Sequence, residues 1–110
     1  MDPALQLLRN LVAIDSVNPS LVPGARGEAD VARAIVETLR TIGLKVETQE
    51  AAPGRPNVVG TLEGRAPGRS LMFCGHIDTV GVAGMPSPFD PVEKDRKSTR
   101  LNSSHLVISY

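Results

Sequence analysis

Residues Gly27 to Glu50 read GEADVARAIVETLRTIGLKVETQE, and the fold turns on how that stretch divides. Val31, Ile35, Leu39 and Ile42 recur at helical spacing, which puts one apolar stripe on an otherwise polar helix. Glu28 and Asp30 stand at its start, where the positive end of the helix dipole favours acidic side chains. Gly43 stands at its end and, having no Cβ, predicts a left-handed stop. Leu44 then closes the cap and starts a strand. In that strand Leu44, Val46 and Thr48 alternate with Lys45, Glu47 and Gln49, the pattern of an element with one wet face near a sheet edge.

Upstream, Asp2 followed by Pro3 opens a first helix, because the Asp carboxylate accepts from free backbone N–H groups and Pro lacks only an unneeded donor. Leu5, Leu8, Leu11 and Val12 carry its apolar face, and its end is expected near Ile14. Ser16, Asn18, Pro19, Ser20 and Pro23 crowd the segment from Asp15 to Pro23, which predicts a loop. Downstream, Gly54 to Pro56 makes a turn, Asn57 to Leu62 a second strand, and Gly64 to Arg69 a connection. Ser70 to Cys74 follows as a short apolar run, expected as a central strand buried on both sides. Two helices followed by strands on short turns predict an α/β sandwich with a mixed sheet.

The chain has 110 residues, 41% hydrophobic and 22% charged, a globular composition far from disordered or membrane classes. Aromatics make up 3% and Trp is absent, so the core must be built from Leu, Val, Ile and Ala. The net charge of zero conceals a mildly acidic body, with 8 Lys/Arg against 11 Asp/Glu up to Glu93, and a basic end with 4 against 1. Nothing in the body forms the basic stripe that a phosphate backbone needs, which argues against a nucleic-acid partner. The single Cys74 excludes an internal disulfide and fits a cytoplasmic location. Gln6, Arg9 and Asn10 interrupt the N-terminal leucines, so neither an export signal nor a membrane span is expected.

The chemistry-bearing segment is Gly75-His76-Ile77-Asp78-Thr79-Val80, directly after the apolar run. In an extended backbone residues two apart share a face, so His76 and Asp78 can point into one cleft. A metal-ligating imidazole needs this arrangement, since one ring nitrogen takes the metal while a carboxylate holds the other N–H. Asp78 can be that partner or itself a ligand. On spacing alone, a structural His76 in a small noncatalytic α/β binding or interaction module remains the alternative. Cys74 would share the strand face of His76, although a lone Cys is more often a small core residue. Thr79 and Asp90 are candidates for substrate contact, and Arg65 and Arg69 read as solvated turn residues. Neither a phosphate-binding Gly-rich loop nor a Gly-x-Ser-x-Gly elbow occurs.

The hexapeptide, the downstream Pro88-Phe89, and the helix from Glu28 to Gly43 running into Leu44-Lys45-Val46-Glu47 together resemble a known family. It is the zinc metallohydrolase family of acetylornithine deacetylase, succinyl-diaminopimelate desuccinylase, carboxypeptidase G and aminoacylase. The resemblance covers Leu5 to about Asp95. It implies the N-terminal part of a three-layer α/β/α sandwich with a mixed sheet, in which His76 matches the first metal ligand and Asp78 the carboxylate that orients it. The implied cofactor is a pair of zinc ions, or cobalt, and the implied substrate an N-acyl amino acid or small peptide cleaved at an amide bond. A bridging Asp, a Glu acting as general base, further acidic ligands, a second His and a lid or dimerisation domain have no counterpart here. The parent is then a homodimeric hydrolase and this chain an inactive piece of it.

From Arg96 onward the sequence turns abruptly polar and basic and resembles translated sequencing-adapter read-through. This divides the chain into residues 1–95, the N-terminal part of a catalytic metallohydrolase domain, and an artefactual tail over 96–110. His105 is then excluded as a ligand. The other reading of this tail is a basic edge strand over Leu106 to Ile108.

Overall fold

The computed structural model describes residues 2–94 and 97–99. The chain opens with helix α1 (Pro3–Val12), whose first turn is capped by Asp2 accepting from the Ala4 N–H at 2.8 Å. Leu11 and Val12 are buried, and Leu5, Leu7 and Leu8 are half-buried along the same helix. The irregular segment expected after it runs from Ala13 to Glu28 and delivers the chain to helix α2 (Ala29–Thr41).

Gly43, with φ of 97°, ends α2. The Gly43 N–H donates to Arg40 O and the Leu44 N–H to Leu39 O, both at 3.0 Å, so two otherwise orphaned carbonyls of the last turn are satisfied. Of the expected stripe, Val31 is buried, Ile35 and Leu39 are half-buried, and Ile42 is exposed at the C-cap. Strands β1 (Lys45–Ala52) and β2 (Arg55–Thr61) form an antiparallel hairpin that pairs Lys45 with Thr61 and Ala52 with Arg55, with a bulge between Glu50 and Ala52. Helix α2 lies against this hairpin. Gly60 is where they meet most closely, since a Cβ there would stand 2.9 Å from both Leu39 Cδ1 and Leu44 Cδ2.

One expectation is corrected. Ser70 to Cys74 is not a strand: the backbone runs without ladder partners among the described residues, and Leu71, Met72 and Phe73 are 80%, 80% and 74% exposed. A strand buried on both faces requires neighbours on both edges and a layer on each side, and the described residues supply neither. Among the described residues there are two separate antiparallel pairs, β1 with β2, and β3 (Val92–Lys94) with β4 (Lys97–Thr99). The described residues therefore form a small α/β structure of two helices, a hairpin and a second short antiparallel pair. Parallel pairing occurs among the described residues as an isolated bridge between Val17 and Thr79.

No helix among the described residues is long and apolar enough to cross a membrane. The expected boundary at residues 95 and 96, the part of the 96–110 tail from residue 100 onward, His105 and the Leu106 to Ile108 strand lie outside the described residues.

Candidate functional site

The loop after α1 folds on its own side chains first. Asp15 Oδ1 accepts from the Val17 N–H at 3.1 Å, and Asn18 Oδ1 accepts from the Ser20 N–H at 2.7 Å. These local bonds extend Ser16 to Asn18 so that the segment can take a partner. That partner is Thr79: its N–H donates to Ser16 O at 3.0 Å, and its carbonyl accepts from the Asn18 N–H at 2.9 Å. Ser16, Val17 and Thr79 are all buried at this junction. The hexapeptide is thus held by the loop through backbone bonds at Thr79, three residues beyond His76.

His76 and Asp78 come together. Their backbone is irregular rather than strand, yet His76 Nδ1 lies 2.9 Å from Asp78 Oδ1 and 3.0 Å from the Asp78 main-chain carbonyl. The second carboxylate oxygen, Oδ2, accepts from Asn18 Nδ2 at 2.8 Å. Burial pushes the Asp78 carboxyl up, but the hydrogen bonds from Asn18 and His76 outweigh it and hold the group below the ordinary carboxylate value. Asp78 is accordingly ionised at neutral pH and can only accept. Nδ1 must therefore donate, and the neutral imidazole carries its lone pair on Nε2, the nitrogen a metal takes. The His76 side chain is 54% exposed and that of Asp78 28%, so the ring stands at the surface on a partly covered carboxylate.

A second charged group braces the same corner. Glu28, with 6% of its side chain exposed, receives a two-pronged contact from Arg55, Nε to Oε2 at 3.0 Å and Nη2 to Oε1 at 2.7 Å. Arg55 Nη1 also donates to Ser20 Oγ at 2.9 Å. The bond to Glu28, and more weakly the charges of Glu28 and Asp78, raise the Arg55 pKa against the desolvation that lowers it. At the start of α2, Asp30 receives Arg26 at 2.6 Å and Arg33 from the other side, and the Arg26 hydrogen bond leads in holding its carboxyl below the usual range.

The remaining candidates fall away from the dyad or add little to it. Cys74 is exposed, as are Arg65, Arg69 and Asp90. Thr79 is buried, and its Oγ1 finds no hydrogen-bond partner among the described residues. No cluster of three or more His, Cys, Asp or Glu side chains able to hold a metal occurs among the described residues. The donor set fits one share of a zinc site, a single imidazole already oriented by a carboxylate, and does not by itself complete one. Sequence reasoning missed Ser16, Asn18, Glu28 and Arg55 as supports of the site. Asn18 and Ser16 read as loop formers and Glu28 as a helix-start acid, and no local signal ties a residue near position 18 to one sixty positions later.

Comparison with known proteins points to one kind of chemistry. The chain is 31% identical over 97 residues to the N-formyl-4-amino-5-aminomethyl-2-methylpyrimidine deformylase of Bacillus subtilis (strain 168), covering 83% of this chain and 22% of that protein. It is 27% identical over 105 residues to the acetylornithine deacetylase of Vibrio campbellii (strain ATCC BAA-1116), covering 93% of this chain and 27% of that enzyme. The acetylornithine deacetylase of Vibrio atlanticus (strain LGP32) is 28% identical over 87 residues, covering 79% and 22%. The chain spans about a quarter of the length of these curated relatives. No family model matches it, and no solved structure matches it. At this low identity the relatives are hydrolases that remove acyl groups, and the chain shares a hydrolase-like origin with them.

Proposed function

We propose that this chain is the N-terminal part of the catalytic domain of a zinc-dependent amidohydrolase, in which His76 is a metal ligand and Asp78 the carboxylate that orients it. The observation that carries the reading is the His76–Asp78 contact at 2.9 Å, which fixes the tautomer that metal ligation requires. The substrate class is an amide of an N-acyl amino acid or small peptide, in keeping with the deacetylase and deformylase relatives. A bound zinc pair would supply Lewis acidity toward the amide carbonyl and toward water. This chain's own part is narrower: Asp78 holds Nδ1–H and sets the plane of the ring, so that Nε2 is the nitrogen a metal would take. On this reading the chain is the N-terminal part of a three-layer α/β/α sandwich with a mixed sheet, and the exposed Leu71, Met72 and Phe73 side chains support a further layer over this face.

A zinc titration of the 110-residue chain followed by 15N NMR of the imidazoles tests the assignment. Zinc is expected to bind weakly and to move the Nε2 signal of His76, with no comparable change in His76→Ala; a ring that ignores zinc or engages it through Nδ1 would refute the ligand role. The chain alone is expected to turn over no N-acyl amino acid, because catalytic zinc commonly needs three protein ligands and a free position.

A further inference from the structure

Asn18 is hydrogen-bonded at four groups at once, its main-chain carbonyl accepting from the Leu21 and Val22 N–H groups. Its Oδ1 closes the loop by accepting from Ser20, its main-chain N–H donates to Thr79, and its Nδ2 donates to Asp78 Oδ2. The amide can face only one way. With Oδ1 committed to an N–H donor and an ionised carboxylate on the other side, a flipped amide would set oxygen against oxygen at 2.8 Å. Asp78 is consequently held at both oxygens, Oδ2 by Asn18 and Oδ1 by His76, so its plane cannot rotate without breaking one of the two.

We infer that Asn18 is a positioning residue for the proposed metal ligand: by pinning the Asp78 carboxylate it sets the ring angle of His76 and reinforces the Nδ1–H tautomer that the Asp78 main-chain carbonyl also favours. This inference rests on the reading of His76 as a zinc ligand for its functional meaning, but its physical content concerns the imidazole alone. A helper acting at one remove on a ligating histidine belongs to the outer sphere, where losing a partner typically weakens metal binding about 10- to 100-fold. Asn18 acts through Asp78, so the lower end of that range is the expectation.

Asn18→Asp is the informative variant. It keeps Oδ1 for Ser20 and the main-chain bond to Thr79, and it replaces only the donor toward Asp78 with a second carboxylate oxygen. A residue that merely closed the loop would tolerate this change. The measurement is the pair of ring 15N shifts of His76 at pH 8, told apart from those of His105 by their loss in His76→Ala, in the wild-type chain, Asn18→Asp and Asn18→Ala. Wild type is expected to show the Nδ1–H pattern, and both variants a shift toward a mixture of tautomers. The Thr79 amide signal, expected to stay in place in Asn18→Asp, reports that the fold is intact. A His76 pattern in folded Asn18→Asp that matches wild type would overturn the inference. In a parallel titration with zinc ion alone, Asn18→Asp is expected to bind about tenfold more weakly. Should wild type bind no zinc at His76, the ligand reading fails, and the tautomer shifts still decide whether Asn18 controls the ring.

Discussion

Replacing Gly60 with alanine would measure how tightly α2 is seated on the hairpin. The new Cβ would stand 2.9 Å from Leu39 Cδ1 and 2.9 Å from Leu44 Cδ2, whereas carbons at rest lie about 3.5–4.0 Å apart. Each methyl must therefore retreat by about 0.6–1 Å. Both are side-chain ends and can give, at about 0.5–1.5 kcal/mol for a side chain forced some 30° off its rotamer. Leu39 and Leu44 are also the residues joined across the end of α2, so their retreat loosens the cap contact. Against this, alanine narrows the unfolded ensemble and returns about 0.4–1 kcal/mol. The net expectation is a loss of about 1 kcal/mol, and about 2–3 kcal/mol for Gly60→Val. Urea unfolding monitored by circular dichroism would show it as a midpoint lowered by about 0.5 M at unchanged slope. In a Leu39→Ala/Leu44→Ala background, where both obstructing methyls are gone, Gly60→Ala should cost close to nothing. A Gly60→Ala chain that is more stable than wild type, or that loses the same amount in both backgrounds, would show that the helix is not set on the hairpin in this way.

Gly43→Ala places a Cβ in open space but at φ of 97°, so it should cost about 1–2 kcal/mol from backbone strain alone, while Gly43→Asn should recover part of it; equal stability of wild type and Gly43→Ala in thermal melts would contradict the left-handed cap. Thr79→Val removes a buried hydroxyl that has no partner among the described residues and is expected to raise stability by about 1 kcal/mol; a loss on the same scale would mean that the hydroxyl is satisfied, for instance by a buried water. The Asp30 carboxyl is held low in the folded chain, so the stabilisation it contributes is complete above the unfolded value near pH 4 and disappears as pH falls through the lower folded one. NMR titration of Arg26→Gln should move the Asp30 midpoint upward, and an unmoved midpoint would remove Arg26 as the cause.

Parts of this structure are written locally and could be read in advance. The Val31 to Ile42 stripe, Gly43 and the Leu44 to Gln49 alternation act within a turn or two of the chain, so the ends of α2 and the start of β1 fall within two residues of the expected positions. The meeting of His76 and Asp78 was equally legible, since residues two apart in an extended backbone share a face whether or not a sheet surrounds them. The fate of Leu71 to Cys74 was not, because a buried strand is defined by what lies beside it, and four apolar residues carry no information about whether those neighbours are there. The grip of Asn18 on Asp78 was invisible for a related reason. Its sequence neighbours advertise a turn, and the bond that matters is made across the molecule.

The Val17–Thr79 bridge also sets the order in which the molecule comes apart. Helices and hairpin close over short stretches of chain, but this junction must bring together positions about sixty residues apart, and it is held by two backbone bonds. Amide exchange at Asn18 and Thr79 will therefore outpace exchange in α2, since the junction opens without the rest unfolding. Any ion or molecule that grips the imidazole and its carboxylate then draws on this opening equilibrium. Part of its binding energy is spent as folding energy, and it acts on the chain as a clasp.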